Sequence, residues 1–440
     1  MAQIIRDETG RILFTQEMKE EYTILAPNML PTHFKLFKMA FALHGYKVIP
    51  LETTGREIVN EGLKNVHNDT CYPALLVIGQ LIHALKSGEY DLNKTALLIT
   101  QTGGGCRASN YIHLLRKALK KSGFEDIPVI SLNLSGMEKN PGFKLTFGLI
   151  KKLIYSIVYG DLLMLLANQT RPYELEKGAA DRMVDHWVEV LSEEYKQSKN
   201  VTYRRVKENM PRILQDFANI PVNKTDKIKV GIVGEIYVKF APLGNNNLEE
   251  FLHGEDVEVV VPGLMDFVIF KVDNRFVDPE IYGGGKLKHL IAGWFENYLV
   301  GWQDDMIAAI KRFPQFDPPS RFQDIKNLVK DYVGYGNKMG EGWLLTGEML
   351  ELVHSGTPNI VCTQPFGCLP NHVAGKGMMR KIKEYNPTAN IVAIDYDPGA
   401  TAINQENRIK LMIANARRMK KMAQYNELVE IKGKMTNSAM

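Results

Sequence analysis

The stretch TALLITQTGGGCRASNY at residues 95–111 runs from an apolar segment through three glycines to a cysteine, and then into a segment with helical character. An apolar run that ends in a glycine-rich turn and continues as a helix is typical of a strand–turn–helix unit in an open parallel sheet. A second stretch, NIVCTQPFGCLPNH at residues 359–372, has the same order of apolar run, Thr-Gln pair, turn and cysteine. We interpret the two stretches as one βα-turn used twice, each time placing a thiol at the carboxyl edge of a sheet.

Strand-like and helix-like segments alternate on both sides of the first stretch. Apolar β-branched runs predict strands, and apolar residues at three- and four-residue spacing predict helices. The predicted strands lie at 23–27, 46–51, 95–100 and 127–133, and the predicted helices at 31–44, 73–86 and 109–122. This alternation predicts a first α/β lobe with a parallel sheet.

A second α/β lobe is predicted around the second stretch. Its strands are expected in KIKVGIVGEIYV at 227–238, DVEVVVPG at 256–263, NIVC at 359–362 and NIVAIDYD at 390–397, with a last helix from residue 401. We therefore predict an α/β fold of two Rossmann-like lobes with parallel sheets, a helical connection and a helical insert. The expected boundaries are an N-terminal arm at 1–20, the first lobe at 21–141, the connection at 142–225, and the second lobe at 226–440 with its insert at about 272–355.

Length and composition narrow the functional classes. A chain of 440 residues exceeds one ordinary core, and its net charge of +4 leaves no excess of cations for a nucleic acid partner. The longest apolar stretch contains Lys151, Lys152 and Asp161, which argues against a membrane span. The N-terminal residues lack the uninterrupted apolar core of a signal peptide, so we expect a cytoplasmic protein.

The sequence has four cysteines, Cys71, Cys106, Cys362 and Cys368. In a reducing compartment they are better explained as metal ligands, redox groups or core residues than as disulfides. Each lies where a strand or loop is expected to meet a helix, and the N–H groups at a helix start lower the pKa of a thiol. Because a metal-binding thiol must be deprotonated, we predict that all four cysteines are metal ligands.

The spacing of the cysteines favours an iron–sulfur cluster over structural zinc. Zinc sites usually use close pairs such as C-x2-C, whereas Cys71, Cys106 and the pair of Cys362 and Cys368 come from three separate turns. Zinc in a binding protein without redox activity stays open as an alternative. So does simple packing, because free cysteines are among the most buried residue types.

Glycines and one carboxylate are further candidates for the site. Gly103, Gly104 and Gly105 precede Cys106 and would allow close backbone approach to a cluster or an anion, although a plain tight turn explains them as well. Glu235 follows the strand KVGIVG at the edge where open α/β sheets bind ligands. A solvated strand end is the alternative for Glu235.

Polar residues that follow two of the cysteines complete the candidate set. Arg107, Asn110 and Tyr111 follow Cys106 and could face a substrate or hydrogen-bond a sulfur atom. His372 follows Cys368 and could donate a proton or bind the metal. We assign candidate catalytic roles to Arg107, Glu235 and His372. Capping or coating a helix is the alternative for Arg107, and a satisfied surface histidine is the alternative for His372.

Four segments, NDTCYP, TGGGCRASNY, GIVGEIYV and PFGCLP, together resemble the 2-hydroxyacyl-CoA dehydratase superfamily. The resemblance is to the dehydratase component, to the activase-related long proteins of anaerobes and to the double-cubane cluster proteins. It implies a 4Fe-4S cluster between two Rossmann-like lobes, and a separate ATP-hydrolysing activase that supplies low-potential electrons. It also implies a dimer, formed with a second copy or with another subunit.

The chain departs from the long fused relatives because no nucleotide-binding ATPase module lies upstream of the cysteine-bearing region. We therefore expect it to be the electron acceptor alone, with its activase as a separate chain. Double-cubane members draw on more than four cysteines, so a single 4Fe-4S cluster is expected here. Dehydratase subunits ligate their cluster with three thiolates, and Cys362 is then the first candidate for a spare cysteine because it lies inside a predicted strand.

The sequence thus predicts an oxygen-sensitive iron–sulfur protein, an oxidoreductase or lyase component that reduces or dehydrates a small substrate or an acyl-CoA. The alternatives are a non-catalytic electron carrier or scaffold that binds the cluster through all four thiolates, and a zinc-stabilised binding protein. The substrate stays open, since no segment has a recognisable CoA-binding signature.

Overall fold

The computed structural model describes residues 2–67, 69–102, 104–133, 138–197, 201–283 and 286–437, with side chains at all of these except 276–282, 286–292 and 426–437. It contains two four-stranded parallel sheets, one on each side of a helical connection. The predicted α/β fold with two Rossmann-like lobes is confirmed.

The first lobe forms a sheet whose strands are all parallel. Its strands are β1 (Thr23–Pro27), β2 (Lys47–Leu51), β3 (Thr95–Thr100) and β4 (Val129–Leu132), and its helices are α1 (Gln16–Glu21), α2 (Pro31–Ala42), α3 (Arg56–Asn65), α4 (Tyr72–Lys86) and α5 (Tyr111–Lys121). The strand order is β2-β1-β3-β4. Helix α3 was not predicted from the sequence.

Three long helices connect the two lobes, and they are α6 (Phe147–Thr170), α7 (Ala179–Lys196) and α8 (Tyr203–Ala218). The apolar stretch with three charged residues forms α6. Its Asp161 is buried and bonds His33 Nε2 at 2.8 Å, while it also accepts N–H bonds from Leu264 and Met265. Among the described residues, no helix is both long and apolar enough to cross a membrane.

The second lobe repeats the parallel sheet and adds helices between its second and third strands. Its strands are β5 (Lys229–Gly234), β6 (Glu258–Val260), β7 (Asn359–Pro365) and β8 (Asn390–Tyr396), and its helices are α9 (Ile236–Phe240), α10 (Pro242–Asn245), α11 (Leu248–Gly254), α12 (Leu264–Tyr282), α13 (Lys286–Ile310), α14 (Phe322–Val329), α15 (Trp343–His354), α16 (Met379–Tyr385) and α17 (Ala402–Asn437). The strand order β6-β5-β7-β8 matches that of the first lobe, position for position.

Burial explains why the central strands read as nearly continuous apolar runs. Thr95 to Ile99 of β3 are buried, and so are all residues of β7, because helices cover both faces of a parallel sheet. One apolar cluster contains residues of both sheets, including Leu97, Val230 and Val361. The two lobes therefore share part of their core.

Several strand ends differ from the sequence prediction, and two of these differences bear on the candidate residues. Strand β5 ends at Gly234, and the segment IYV that follows is helical, because the Glu235 side chain accepts the N–H of Val238 at 2.9 Å and caps α9. Strand β7 extends through Pro365, so Cys362 lies in its middle. The prediction that every cysteine lies at a helix start is wrong for Cys362.

Candidate functional site

Three cysteines lie at turns where the two lobes meet. Cys71 is the N-cap residue of α4, Cys106 is the N-cap residue of a short 3-10 helix at Arg107–Ser109, and Cys368 immediately precedes a helical segment that begins at Leu369. Cys106 follows β3 and Cys368 follows β7, the equivalent strands of the two sheets. The repeated βα-turn therefore brings one thiol from each lobe to the same region.

The Cys71 loop and the Cys368 turn are in direct backbone contact. The Tyr72 N–H donates to the Phe366 carbonyl at 2.9 Å. Gly367 has φ +72°, and a Cβ atom there would lie 3.0 Å from Cys71 Cα. Only glycine combines this left-handed conformation with so close an approach, so the turn PFGC is fitted to the first lobe.

The Cys106 turn completes the group from the first lobe. The charge of the Cys106 thiolate acts on Cys368, and that of Cys71 acts on Cys106, so the three sulfur atoms are electrostatic neighbours. Of the three predicted glycines, Gly103 lies outside the described residues. The Gly105 N–H donates to Met339 Sδ at 3.2 Å, so this N–H bonds a thioether and not a cysteine.

Cys362 has a different environment. Its Sγ lies 3.9 Å from Asn371 Oδ1, inside the second sheet. The charges that act on it are those of Lys376, Asp395 and Glu348. The structure thus groups Cys71, Cys106 and Cys368 and leaves Cys362 apart from them.

Burial dominates the acidity of all four thiols. It raises the pKa of Cys71 and Cys368, it raises the pKa of Cys106 to about 11, and it raises that of Cys362 to about 12. The backbone N–H groups of Ala74, Ala108 and Asn371 act on Cys71, Cys106 and Cys368, respectively. Each of them lowers the pKa of its thiol, but by less than burial raises that pKa. The prediction of depressed thiol pKa values is therefore wrong for the metal-free chain.

Two buried carboxyl groups adjoin the three thiols. Glu235 caps α9, and Glu341 Oε1 accepts the N–H of Ile236, the first residue of that helix, at 3.1 Å. Both side chains are buried, and burial raises the pKa of each, with the charge of Glu341 raising that of Glu235 further. Since two adjacent buried carboxylates repel, the pair retains a proton near neutral pH.

Cationic groups adjoin the same site. Lys271 donates to the carbonyl of Gly340, and burial lowers its pKa while the charges of Glu341 and Cys106 raise it. The exposed Arg107 acts on Cys71 and favours its thiolate. These two cations offset part of the negative charge that thiolates would bring.

Tyr111 and His372 differ in burial, since Tyr111 is buried and His372 is exposed. The Tyr111 hydroxyl lies 2.9 Å from Cys71 Sγ and is buried, in line with the suggestion that a residue after Cys106 hydrogen-bonds a sulfur. His372 is exposed, and its Nδ1 lies 2.8 Å from the Cys368 carbonyl and 2.8 Å from Gln364 Nε2. His372 thus contacts the backbone of the cysteine turn through that nitrogen.

Sequence reasoning missed Glu341, Lys271 and Met339, which lie in the helical region between β6 and β7. The available signal was the segment MGEG, in which glycines flank Glu341 as in a tight turn. Nothing in the linear sequence connected this turn with residues 71 or 106, because the contact depends on how the insert folds back.

In the described part of the chain, no three His, Cys, Asp or Glu side chains converge closely enough to hold a single metal ion. A polynuclear cluster is held differently, since each thiolate binds a separate iron atom and the ligands are spaced more widely. Comparison with protein-family models and with curated proteins gave no match.

Proposed function

We propose that the protein holds a 4Fe-4S cluster between its lobes through Cys71, Cys106 and Cys368, as the resemblance to the 2-hydroxyacyl-CoA dehydratase superfamily implies. The observation that supports this most is the grouping of three thiols from three turns of two lobes, beside a proton-holding carboxyl pair. A sulfur-only donor set suits iron–sulfur clusters. Cys362 is the spare cysteine in this proposal.

The protonation of the three thiols and the N–H and O–H groups near them are compatible with cluster binding. The three thiols have raised pKa values because burial disfavours their thiolates, and metal binding would displace their protons. Backbone N–H groups of Ala74, Ala108 and Asn371 favour the thiolates of Cys71, Cys106 and Cys368, respectively. N–H groups directed at sulfur stabilise a ligated thiolate. Tyr111 would donate its O–H to Cys71 in the same way.

A bound cluster supplies single electrons at low potential. The chain's own contribution to a reduction or dehydration is the movement of protons. The carboxyl pair of Glu235 and Glu341 retains one proton in a buried site next to the thiols, and it can donate that proton to a substrate that gains an electron there. Lys271 holds the turn that carries Glu341 through the Gly340 carbonyl.

The proposed electron donor is a separate ATP-dependent activase. Exposed apolar side chains surround Cys368, namely Phe366 at 49%, Leu369 at 71% and Val373 at 49% exposure. Leu369 and Val373 are four residues apart on one helical segment and so share a face. Exposed apolar residues beside a buried redox site suit the docking of a protein partner. We further propose that the substrate is a small molecule or an acyl-CoA.

Cysteine substitutions test this proposal directly. After anaerobic purification, the variants Cys71→Ala, Cys106→Ala and Cys368→Ala should each lose most of the iron, the acid-labile sulfide and the visible absorption of the wild type. Cys362→Ala is the matched control, a buried thiol outside the group, and should keep all three. Full iron content in the first three variants would end the proposal. Zinc without sulfide in the wild type would favour the zinc-stabilised alternative instead.

A further inference from the structure

A groove of about 600 Å³ lies along β8 on the surface of the second lobe. Strand β8 is the last strand in the order β6-β5-β7-β8, so one of its edges is not paired with another strand of the described sheet. Ile391, Val392 and Ala393 of β8 line the groove. The groove therefore gives access to the edge of a sheet.

Alternate residues of β8 direct their backbone groups to this edge. The Asn390 N–H and the Tyr396 carbonyl, at the two ends of β8, each form a 2.8 Å hydrogen bond with the residue directly before or after β7. Because the residues of a strand alternate in direction, Ile391 and Ala393 point their N–H and C=O groups away from β7. Among the described residues, no hydrogen bond engages these outward groups. They can therefore accept a further strand.

Cationic side chains line the walls of the groove. They are Lys376, Arg380 and Lys383, which lie just before or on α16, and Arg408 of α17. Glu384 pairs with Arg380 at 2.8 Å, and Asp395 pairs with Lys376 at 2.9 Å. Lys383 is exposed and has no ion pair within the described part of the chain. The groove therefore has an excess of positive charge.

The two walls cover opposite faces of β8. Ile382 of α16 packs in the same apolar cluster as Ile391, whereas Ile409 of α17 packs in another cluster with Ile394. An extended chain beside β8 would direct alternate side chains to the two faces. One set of side chains would meet the cations of the α16 wall, and the other set would meet Arg408.

We propose that this edge of β8 binds an acidic, extended segment of a partner protein, which adds a strand to the second sheet. Addition of a strand to an exposed sheet edge is a common mode of peptide recognition, in which main-chain bonds give affinity and side-chain contacts give specificity. Carboxylates of the added strand complement the cations of both walls. The groove contains none of the proposed cluster ligands, so this binding is separate from the proposed function.

The charge of the groove also distinguishes this occupant from a second copy of the chain. Pairing of two β8 edges would bring the cations of both copies together, and charged side chains beside an edge strand oppose such pairing. An acidic segment instead gains from the same cations. The groove is therefore suited to a partner of opposite charge.

Titration of the purified protein with a fluorescein-labelled peptide tests the charge complementarity. The probe is a peptide of repeated Glu-Glu-Val-Val, which presents carboxylates on both faces of a strand, and the reference peptide has Lys in place of Glu. Fluorescence polarisation at low ionic strength should show saturable binding of the acidic peptide and none of the basic peptide. No saturable binding of the acidic peptide would overturn the proposal.

Charge reversal in the groove should weaken the binding. We expect Lys383→Glu and Arg408→Glu, which act on opposite walls, each to raise the dissociation constant of the acidic peptide about tenfold. Lys117→Glu is the matched control, because Lys117 is an exposed lysine of α5 outside the groove, and it should bind the peptide as the wild type does. An equal loss in the control would mean that only the overall charge attracts the peptide, contrary to the proposal.

Methylation of the peptide backbone separates strand addition from general attraction. A version with N-methyl groups on every second residue keeps one edge free to pair and should bind as the unmethylated peptide does. A version methylated at every residue keeps its charge but has no N–H left, and its affinity should fall about tenfold or more. Equal affinity of the two versions would rule out pairing with the strand edge.

A proline in β8 tests the same contact from the side of the protein. Ala393→Pro removes an outward N–H and no bond to β7, so we expect weaker peptide binding with wild-type melting behaviour. Lys383→Glu and Arg408→Glu are surface changes and keep the test decisive if Ala393→Pro folds poorly. A wild-type dimer that Ala393→Pro converts into a monomer in analytical ultracentrifugation would show that a second copy occupies the edge, and it would refute the acidic partner.

Discussion

The turns after β3 and β7 occupy the same position in the two lobes, yet they hold their cysteines differently. The first-lobe turn is rich in glycine, its Gly104 and Gly105 are exposed, and Cys106 is only partly buried. The second-lobe turn replaces two of the glycines with Pro365 and Phe366, and Cys368 is buried. The same strand order thus supports one open turn and one turn that is locked against the other lobe.

The difference shows which turn determines the geometry of the site. Gly367 contacts the backbone of Cys71, whereas Gly104 contacts the flexible end of the Met339 side chain. A backbone contact cannot yield, but a methionine side chain can rotate away. We infer that the second-lobe turn fixes the positions of Cys71 and Cys368 relative to each other. The first-lobe turn, which carries Cys106, can change its conformation more easily.

The largest effect is expected from Gly367→Ala. Its Cβ atom would lie 3.0 Å from Cys71 Cα at φ +72°, so both the conformation and the contact are unfavourable. We expect a loss of about 3 kcal/mol in the free energy of unfolding, and loss of the iron site. Urea unfolding of the apoprotein and iron analysis measure the two effects.

Gly104→Ala is the control for that substitution, because Gly104 also has a positive φ of +76° but its Cβ atom would meet only the Met339 side chain, with the sulfur at 3.2 Å. The expected loss is about 1 kcal/mol from backbone strain, with iron retained. Equal effects of the two substitutions would show that the two turns are equally rigid, contrary to the comparison.

The two lobes also differ in the charged groups that surround their buried carboxyl groups. This difference gives the second prediction. In the second lobe, burial raises the pKa of both Glu235 and Glu341, and the charge of Glu341 raises that of Glu235 further. In the first lobe, Glu138 is instead paired with Arg11 and Arg116 at 2.8 and 2.7 Å. Burial alone would raise the pKa of Glu138, but the two arginines outweigh it and lower that pKa. The two groups therefore change stability with pH in opposite directions.

For the metal-free protein, the raised pKa of Glu235, about 8 against an ordinary value of 4.5, gives stability that is complete below pH 4.5 and is lost as pH rises through about 8. Glu235→Gln should flatten this loss. Glu138→Gln should instead reduce stability above pH 4.5 and have little effect at lower pH, where the folded-state carboxyl becomes protonated. Urea unfolding from about pH 2 to pH 9 measures both, and parallel pH profiles of the two variants would contradict the assignment.

How far the sequence could predict these features depends on the range of the interactions. Strands β1 and β3 begin and end where predicted, because local apolar runs and flanking turn residues determine them. The three grouped cysteines were candidates because each adjoins a local turn signal. Glu341 could not be found in this way, since its role depends on a tertiary contact with α9. The end of β5 was misjudged because an acidic residue after a strand can also cap a helix.

The smallest effect is expected from Tyr111→Phe, which removes the hydroxyl 2.9 Å from Cys71 Sγ. Among the bonds described, this is the only side-chain donor to one of the three grouped sulfur atoms, and it links the helix after the first-lobe turn to Cys71. We expect a loss of about 1 kcal/mol in stability. In the iron-loaded protein the reduction potential should become more negative, because hydrogen bonds to ligating sulfur stabilise the reduced form.

Tyr237→Phe is the matched control, since Tyr237 is also buried and its hydroxyl has no hydrogen-bond partner among the described residues. Removing that hydroxyl should cost little or even stabilise the fold, because an unpaired buried polar group is unfavourable. Potentiometric titration of both variants separates a bond to sulfur from general burial of a phenol. A shift of equal size in both would mean that the Tyr111 hydroxyl does not act on Cys71, and that the first-lobe side of the site is held by its backbone alone.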